Sequence, residues 1–441
     1  MMAPLKIGIA GLGVVGASVV RLIEQQREAL AARCGRCIEV VAVSARSRGK
    51  RRDLDLKRLR WVADPMSLAS DGEIDVFVEL MGGEGDPARA AVAAALAAKK
   101  SVVTANKALL ARHGVRLAGI AEKNHVALNF EAAVGGAIPI VKTIREGLAG
   151  NSLARVYGIL NGTCNYILTR MEQEKMAFAE CLAEAQRLGY AEADPTFDVE
   201  GHDTAQKLAI LATLAFGTKA DESAVYVEGI SSIAPEDLAW ADELGYRVKL
   251  LGVAVKTDSG IEQRVHPTMV PKDSAIAQVM GVTNAVTIDA DAMAPITLVG
   301  PGAGGAATAS AVVSDIGDIA RGVRTAPFGR RSSALFSSKK APMQRHEGGY
   351  YIRLLAVDKP GTAASIARRL AQQNISLESI VQRHRGGPPQ GGKSPGRSGE
   401  PVPVVLITYA TTEDAVRKAL TAVGRDKVIL GKPQVIRIEK N

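Results

Sequence analysis

Aromatic residues and cysteines are scarce in this chain. Of its 441 residues, 4% are Phe, Trp or Tyr and 4 are cysteines. So few cysteines exclude a disulfide-stapled secreted scaffold and fit a reducing compartment. Cys34 and Cys37 stand at redox or half-zinc-site spacing, yet no second pair or nearby histidine completes a metal site. They read as a turn after a helix, and Cys164 and Cys181 read as unpaired thiols. The lack of rings also bears on the net charge of +9, much of which sits in Arg46–Arg60 and Arg321–Arg397. Without interleaved aromatics these segments lack base-stacking platforms, so nucleic acid is not an expected partner and an anionic cofactor is. Long apolar runs and a signal-peptide pattern are missing too, which predicts no membrane partner and a cytoplasmic location. The length exceeds one compact core, and two or three domains are expected.

What is present begins with a nucleotide-binding signature. Leu5–Ala10 is a short apolar run of the kind that forms a buried parallel strand. It leads directly into Gly11-Leu12-Gly13-Val14-Val15-Gly16, followed by a helical pattern to about Ala32. Between strand and helix each glycine has a mechanical role. Gly11 permits the tight turn, Gly13 admits a pyrophosphate to the backbone, and Gly16 lets helix and strand pack closely. Further strands are expected at Ile38–Ala45, Ile74–Leu80, Ser101–Ala105 and Val126–Phe130, with a helix over Pro87–Lys99. This alternation predicts an α/β, Rossmann-type doubly wound sheet over residues 1–150. The second strand ends in Arg46 and Arg48, with no carboxylate before Asp53. Arginine there accommodates a 2′-phosphate, so NADP is favoured, with NAD use also possible.

Residues 189–217 carry the chemistry. Asp203 and Lys207 lie four apart at the start of a helical apolar pattern, so carboxylate and ammonium face the same way. Glu192 and Asp194 approach from a loop marked by Pro195. A surface ion pair is the commoner explanation of such spacing; the nucleotide signature favours a site.

Five motifs in order resemble those of homoserine dehydrogenase, of the monofunctional bacterial type, over nearly the whole chain. They are the Gly11–Gly16 loop, Thr104-Ala105-Asn106-Lys107, Phe130–Pro139, Leu160–Tyr166 and Gly189–Lys207. The resemblance implies reversible NAD(P)H-dependent reduction of L-aspartate 4-semialdehyde to L-homoserine, on the route to threonine, isoleucine and methionine. It makes Lys207 the proton donor or acceptor, with Glu192 and Asp203 holding the substrate and Asp194 in support; hydride addition to the aldehyde leaves an alkoxide that needs a positioned acid, and a lysine can serve with Lys107, at the carboxyl edge of the sheet, as a second cation. It also implies a sodium ion at Glu131, Val134, Gly136 and Ile138, bound mostly by backbone carbonyls. Gly189, Gly302 and Lys107 would join Gly11, Leu12, Gly13, Val14, Val15, Gly16, Arg46 and Arg48 in binding cofactor. Gly300–Gly305 opens a helix at about 302–320 that would return to the nucleotide domain. Asn161–Tyr166 reads as a turn entering a helix, without a direct catalytic role. Residues 151–300 would form an α+β substrate and dimerisation domain, implying a homodimer or homotetramer. Two rival readings are a related reductase of another small amino-aldehyde and a non-catalytic amino-acid sensor.

Residues 321–349 are basic, rich in small residues and without apolar periodicity, and read as a linker. From Tyr350 to the end the pattern is βαββαβ, a ferredoxin-like layout. With Asp358-Lys359-Pro360-Gly361 at its first turn, this unit (residues 350–441) resembles an ACT domain. That implies L-threonine as effector, with contacts near Asp358–Ala363 and Asn374. A Gly/Pro-rich basic insertion, 385–403, interrupts the central hairpin with a composition that cannot bury a core.

Overall fold

The computed structural model describes residues 2–50, 52, 54–337, 339–382 and 401–439. The first six strands are β1 (Leu5–Ala10), β2 (Ile38–Ser44), β3 (Arg60–Trp61), β4 (Val76–Glu79), β5 (Ser101–Thr104) and β6 (Leu128–Asn129). They form one parallel sheet in the order β3-β2-β1-β4-β5-β6. Strands covered by helices on both faces must be apolar throughout, and all four residues of β4 are buried. The order reverses between β1 and β4, which opens a crevice at the carboxyl ends of those strands. The expected long first helix is two, Val14–Gln25 and Arg27–Cys34, broken at Gln26 and ended by Gly35 in the left-handed region. All four cysteines are free.

A second, mixed sheet begins with β7 (Leu153–Ile159), β8 (Tyr226–Val227), β9 (Tyr246–Thr257), β10 (Gly260–Pro271), β11 (Thr283–Ala290) and β12 (Ile296–Pro301). Its main path runs β12-β11-β7-β9-β10, antiparallel throughout. The helices Gly162–Glu174 and His202–Phe216 pack against it and bring their amino-terminal ends toward the crevice of the first sheet. After β12 the helix Gly305–Ala320 returns and packs on the helix Val14–Gln25. One chain thus crosses between the two sheets twice, and the site lies where it crosses.

The remaining strands are β13 (Glu347–Val357), β14 (Leu377–Gln382), β15 (Pro401–Thr408), β16 (Thr411–Thr412) and β17 (Ile429–Ile438). With the helices Thr362–Ala371 and Glu413–Arg425 they give the antiparallel order β17-β13-β15-β14, a ferredoxin-like arrangement with its own core. This unit is not hung on a tether. β17 pairs in parallel with β10 through Thr268–Arg437 and Met269–Ile438, so the second sheet continues into it. The buried Asp237 accepts hydrogen bonds from Arg353 at 2.6 and 3.0 Å and from the Tyr351 hydroxyl at 3.1 Å.

Residues 321–349 differ in the same way from a free linker. Phe328 is fully buried, 5.2 Å from the Phe130 ring, and Leu335 and Ala341 are also buried. Single apolar anchors spaced among basic residues leave no periodic trace, so docking is invisible in the pattern. The 383–400 part of the hairpin insertion lies outside the described residues, and Pro401–Pro403 open β15. No helix among the described residues is long and apolar enough to cross a membrane.

Candidate active site

A cleft of about 680 Å³ lies between the carboxyl edge of the parallel sheet and the helix-bearing face of the mixed one. At one end stands the glycine loop. A Cβ on Gly11 would collide with the Leu80 carbonyl, and one on Gly16 with the Gly11 carbonyl. Gly13, by contrast, has no protein atom within 4 Å of that position, so the approach to the backbone is open there. Val14 and Val15 begin the helix, whose free N–H groups and dipole favour a phosphate. Leu12 is buried beneath.

Arg46 and Arg48 are exposed beside this loop. The residue that fastens the basic segment is Arg52, which donates from Nε to the Leu12 carbonyl at 2.8 Å and from Nη1 to the Lys50 carbonyl at 2.8 Å. Its guanidinium lies 5.7 Å from the Trp61 ring centroid. Nothing in the run of basic residues distinguishes Arg52; the partner that ties it to the glycine loop, Leu12, lies 40 residues away in the chain.

At the cleft floor a carboxylate bridges two lysines. Asp203, in the first turn of the helix His202–Phe216, lies 2.8 Å from Lys207 Nζ and 3.2 Å from Lys107 Nζ. Lys207 Nζ also donates to the Leu160 carbonyl at 2.8 Å. Two of its three ammonium protons are thereby placed, and one remains for the cleft. Asn161 caps the helix Gly162–Glu174 through the Cys164 N–H, and its Nδ2 donates to Asp203 Oδ2 at 2.9 Å and Asp198 Oδ1 at 2.8 Å. Burial pushes the Asp203 carboxyl up, but Lys207, Lys107 and Asn161 outweigh it and hold it at about 2. Asp203 is therefore engaged on both oxygens by protein groups. The carboxylate that the sequence pairs with Glu192 as a receptor for substrate is thus also the anion that holds two cations together.

Lys107 is placed by a second network. It opens the helix Lys107–Lys123, capped by Asn106, whose Oδ1 accepts from the Leu109 N–H at 3.1 Å. Asn106 Nδ2 donates to the Gly83 carbonyl at 2.6 Å. Glu79, wholly buried at the end of β4, accepts from the Met81 and Gly82 N–H groups at 2.7 and 3.1 Å and from Thr104 Oγ1 at 2.6 Å. Burial raises its pKa. A single acid in an otherwise apolar strand was the available signal for this clamp.

Glu192 lines the mouth of the cleft, exposed, and its carboxylate has no hydrogen bond or ion pair among the described residues. Gly189, in the left-handed region at φ +76°, also lines it. Asp194 is elsewhere: exposed, it accepts from the Thr196 N–H at 3.1 Å and does not line the cleft. Asp198, not singled out from the sequence, does line it. Its pKa is raised, by burial first and then by the charge of Asp203.

The Glu131–Ile138 loop flanks the nucleotide side. The Glu131 carboxylate accepts from the Val141 and Lys142 N–H groups at 2.8 and 2.9 Å, while its own N–H donates to Asp315 Oδ2 at 2.8 Å. Burial and the Asp315 charge push the Glu131 carboxyl up to about 7. Among the described residues no hydrogen bond reaches the Val134 or Gly136 carbonyl, whereas that of Ile138 accepts from Ile140 N–H at 2.8 Å. Oxygen donors of this type suit a hard cation. Gly136, at φ +61°, lies so close to Gly302 that a Cβ would strike the Gly302 carbonyl.

Comparison with known proteins agrees with this geometry. The family model described as homoserine dehydrogenase matches residues 139–316, and that of the homoserine dehydrogenase NAD-binding domain matches residues 11–131. The chain is 44% identical over 428 residues to a homoserine dehydrogenase of Neisseria gonorrhoeae, covering 96% of this chain and 95% of that one. It superposes on the crystal structure of a homoserine dehydrogenase from Thiobacillus denitrificans with a TM-score of 0.91 at 41% identity, covering 99% and 98%. A hyperthermophilic archaeal homoserine dehydrogenase in complex with NADPH matches 71% of this chain and 97% of its own, with a TM-score of 0.61 at 26% identity.

Proposed function

The chain belongs to the homoserine dehydrogenase family of NAD(P)-dependent oxidoreductases, and on that premise we propose that it catalyses the reversible reduction of L-aspartate 4-semialdehyde to L-homoserine. The observation that carries the proposal is the Lys107–Asp203–Lys207 bridge, set in the cleft that the glycine loop opens. A bound reduced nicotinamide supplies the hydride that adds to the aldehyde carbon. As the C–O double bond opens, negative charge gathers on oxygen, and Lys207 gives that oxygen its free proton. Lys107 stabilises the developing charge, and Asp203 holds both ammonium groups against their mutual repulsion. In the reverse direction Lys207 takes the hydroxyl proton as hydride leaves the carbon.

Glu192 and Asp198 are the carboxylates available for the substrate ammonium group. An arriving cation would relieve the charge that Asp203 places on Asp198. NADP is the preferred dinucleotide in this reading, drawn by Arg46 and Arg48. A sodium ion on the Glu131, Val134, Gly136 and Ile138 oxygens would bind the substrate region to the returning helix. The carboxyl-terminal unit is read as an ACT domain taking L-threonine near Asp358–Ala363 and Asn374, which places the enzyme in threonine, isoleucine and methionine biosynthesis. A homodimer or homotetramer working in the cytoplasm completes the proposal.

Initial rates with L-homoserine and NADP or NAD, with and without L-threonine, test it. Turnover with NADP exceeding that with NAD, and inhibited by threonine, is the expected result. Folded protein that binds dinucleotide but does not oxidise homoserine would overturn the substrate assignment.

A further inference from the structure

The wall of the cleft carries a polar side chain that no described residue satisfies. Asn284, near the start of β11, is 2% exposed and lines the cleft. Its Oδ1 is buried without a hydrogen-bond partner, and no described residue pairs with its Nδ2. Buried amides are nearly always paired, so an orphan on the wall of a cleft points to a partner that arrives with the ligand.

The surroundings make room for this amide and hold it. A Cβ on Gly302 would collide with the Asn284 amide, and one on Gly162 would lie 3.4 Å from its Oδ1. The side chain is thus wedged between the loop entering the helix Gly305–Ala320 and the amino terminus of the helix Gly162–Glu174. No internal bond fixes which amide atom faces the cleft, so donor and acceptor can exchange by a flip. The residues around it on this wall are neutral, among them Gly162, Val282, Pro301 and Gly302, and Ala303 and Val134 also line the cleft. The ionic groups of the cleft, Lys107, Lys207, Asp203, Asp198 and Glu192, belong to other elements. A neutral, largely apolar wall with one amide suits a flat ring bearing a neutral amide of its own.

Resting on the oxidoreductase reading above, the geometry points to Asn284 as the partner of the nicotinamide carboxamide. A dinucleotide whose phosphates sit at the Gly11–Gly16 loop extends along the carboxyl ends of β4 and β5, and this wall faces that path. An amide-to-amide pair fixes the rotation of the ring, and with it the position of the hydride carbon relative to Lys207.

The test uses full-length protein and nicotinamide fluorescence to measure Kd. The ligands are NADPH, its reduced 3-acetylpyridine analogue, which carries methyl in place of the amide NH2, and 2′,5′-ADP, read by competition. The expected result is that Asn284→Leu weakens NADPH about tenfold, as loss of one buried hydrogen-bonded pair does. It weakens the analogue, which keeps the carbonyl but not the NH2, by less than it weakens NADPH, and leaves 2′,5′-ADP unchanged, so that the wild-type preference for the amide cofactor vanishes. Should the leucine variant not fold, Asn284→Ala is read in the same way. A preference that survives the substitution would overturn the pairing. So would unchanged cofactor affinity with a raised KM for homoserine, which would assign the amide to the substrate. Wild-type protein that binds no nicotinamide dinucleotide would bring down the oxidoreductase reading and this pairing with it.

Discussion

Two buried clusters of lysine and carboxylate flank the same cleft, and their carboxyl groups shift in opposite directions. At the floor, Asp203 faces two lysines, and its carboxyl is held at about 2 despite burial. On the nucleotide side, Lys142 lies 3.3 Å from Asp315 and 2.5 Å from Asp318, with Glu131 bonded to Asp315 through its backbone. There burial prevails: Asp315 rises to about 6 and Glu131 to about 7. Asp203 and Asp315 are about equally hidden from water, at 5% and 1% exposure, so burial does not explain the difference. The ratio of cations to anions does. Two ammonium groups against Asp203 keep the carboxylate charged and the lysines together, which suits proton transfer; Asp315 has only Lys142 against it, shared with Asp318 (itself paired with Arg321) and set beside Glu131, which suits a joint that an added cation could tighten.

The strongest way to break the comparison is at its cationic end. Lys207→Ala should lower kcat by roughly 10²–10⁴-fold, the usual worth of a general acid, while dinucleotide Kd stays unchanged. Near-normal turnover in that variant would remove Lys207 from the chemistry. Asp203→Asn leaves two ammonium groups facing each other without their anion. We expect kcat to fall on the order of 10²-fold and stability to drop by about 3 kcal/mol, as when one partner of a buried ion pair is removed. Thermal unfolding and steady-state kinetics on the same sample check both.

Asp198 and Asp194 sharpen the contrast between a carboxylate in the cleft and one outside it. Asp198→Ala should raise the KM for homoserine about tenfold. Asp194→Ala, at an exposed turn, should change it less than about twofold. A larger effect from Asp194 would show that the loop moves its carboxylate into the cleft during turnover.

The smallest effect is in stability against pH, and its sign differs between the clusters. Glu131 and Asp315 have raised pKa values in the fold, so the folded protein binds more protons than the unfolded chain between about 4 and 7. Their contribution is most favourable below about pH 4 and is lost as pH rises through about 7. Apparent Tm should therefore decline by a few degrees from pH 5 to 8, and Asp315→Asn should flatten that slope. Asp203 is lowered, so its contribution is present above about pH 4 and disappears as pH falls through about 2. Asp203→Asn should leave the slope between pH 5 and 8 intact. If the two substitutions alter it equally, the clusters are electrostatically one.

Much of the frame was legible in the amino-acid order. The parallel strands and the glycine loop follow from local apolar runs and from a steric need met within a dozen residues. So does the Asp203–Lys207 pair, because one helical turn brings it together. The order of elements in the carboxyl-terminal unit was legible too. Its fastening was not, since β10–β17 pairing and the anchoring of Phe328 depend on residues distant in the chain.

The site divides along the same line. Periodicity and helix geometry place Lys207 beside Asp203, but the Lys107 ion pair joins residues from two domains. Asn161, Asp198, Glu79, Arg52 and Asn284 carry no periodic mark; each of the first four is a common polar residue with a partner supplied by another element, and Asn284 is one that the fold buries without a partner. Short-range order follows from backbone sterics and apolar spacing, which neighbouring residues share. The charge of Asp203 and the orphaned amide of Asn284 follow from which side chains meet after the two sheets are brought together. Coulomb interactions and hydrogen bonds act over a few ångströms of space, whatever the distance along the chain.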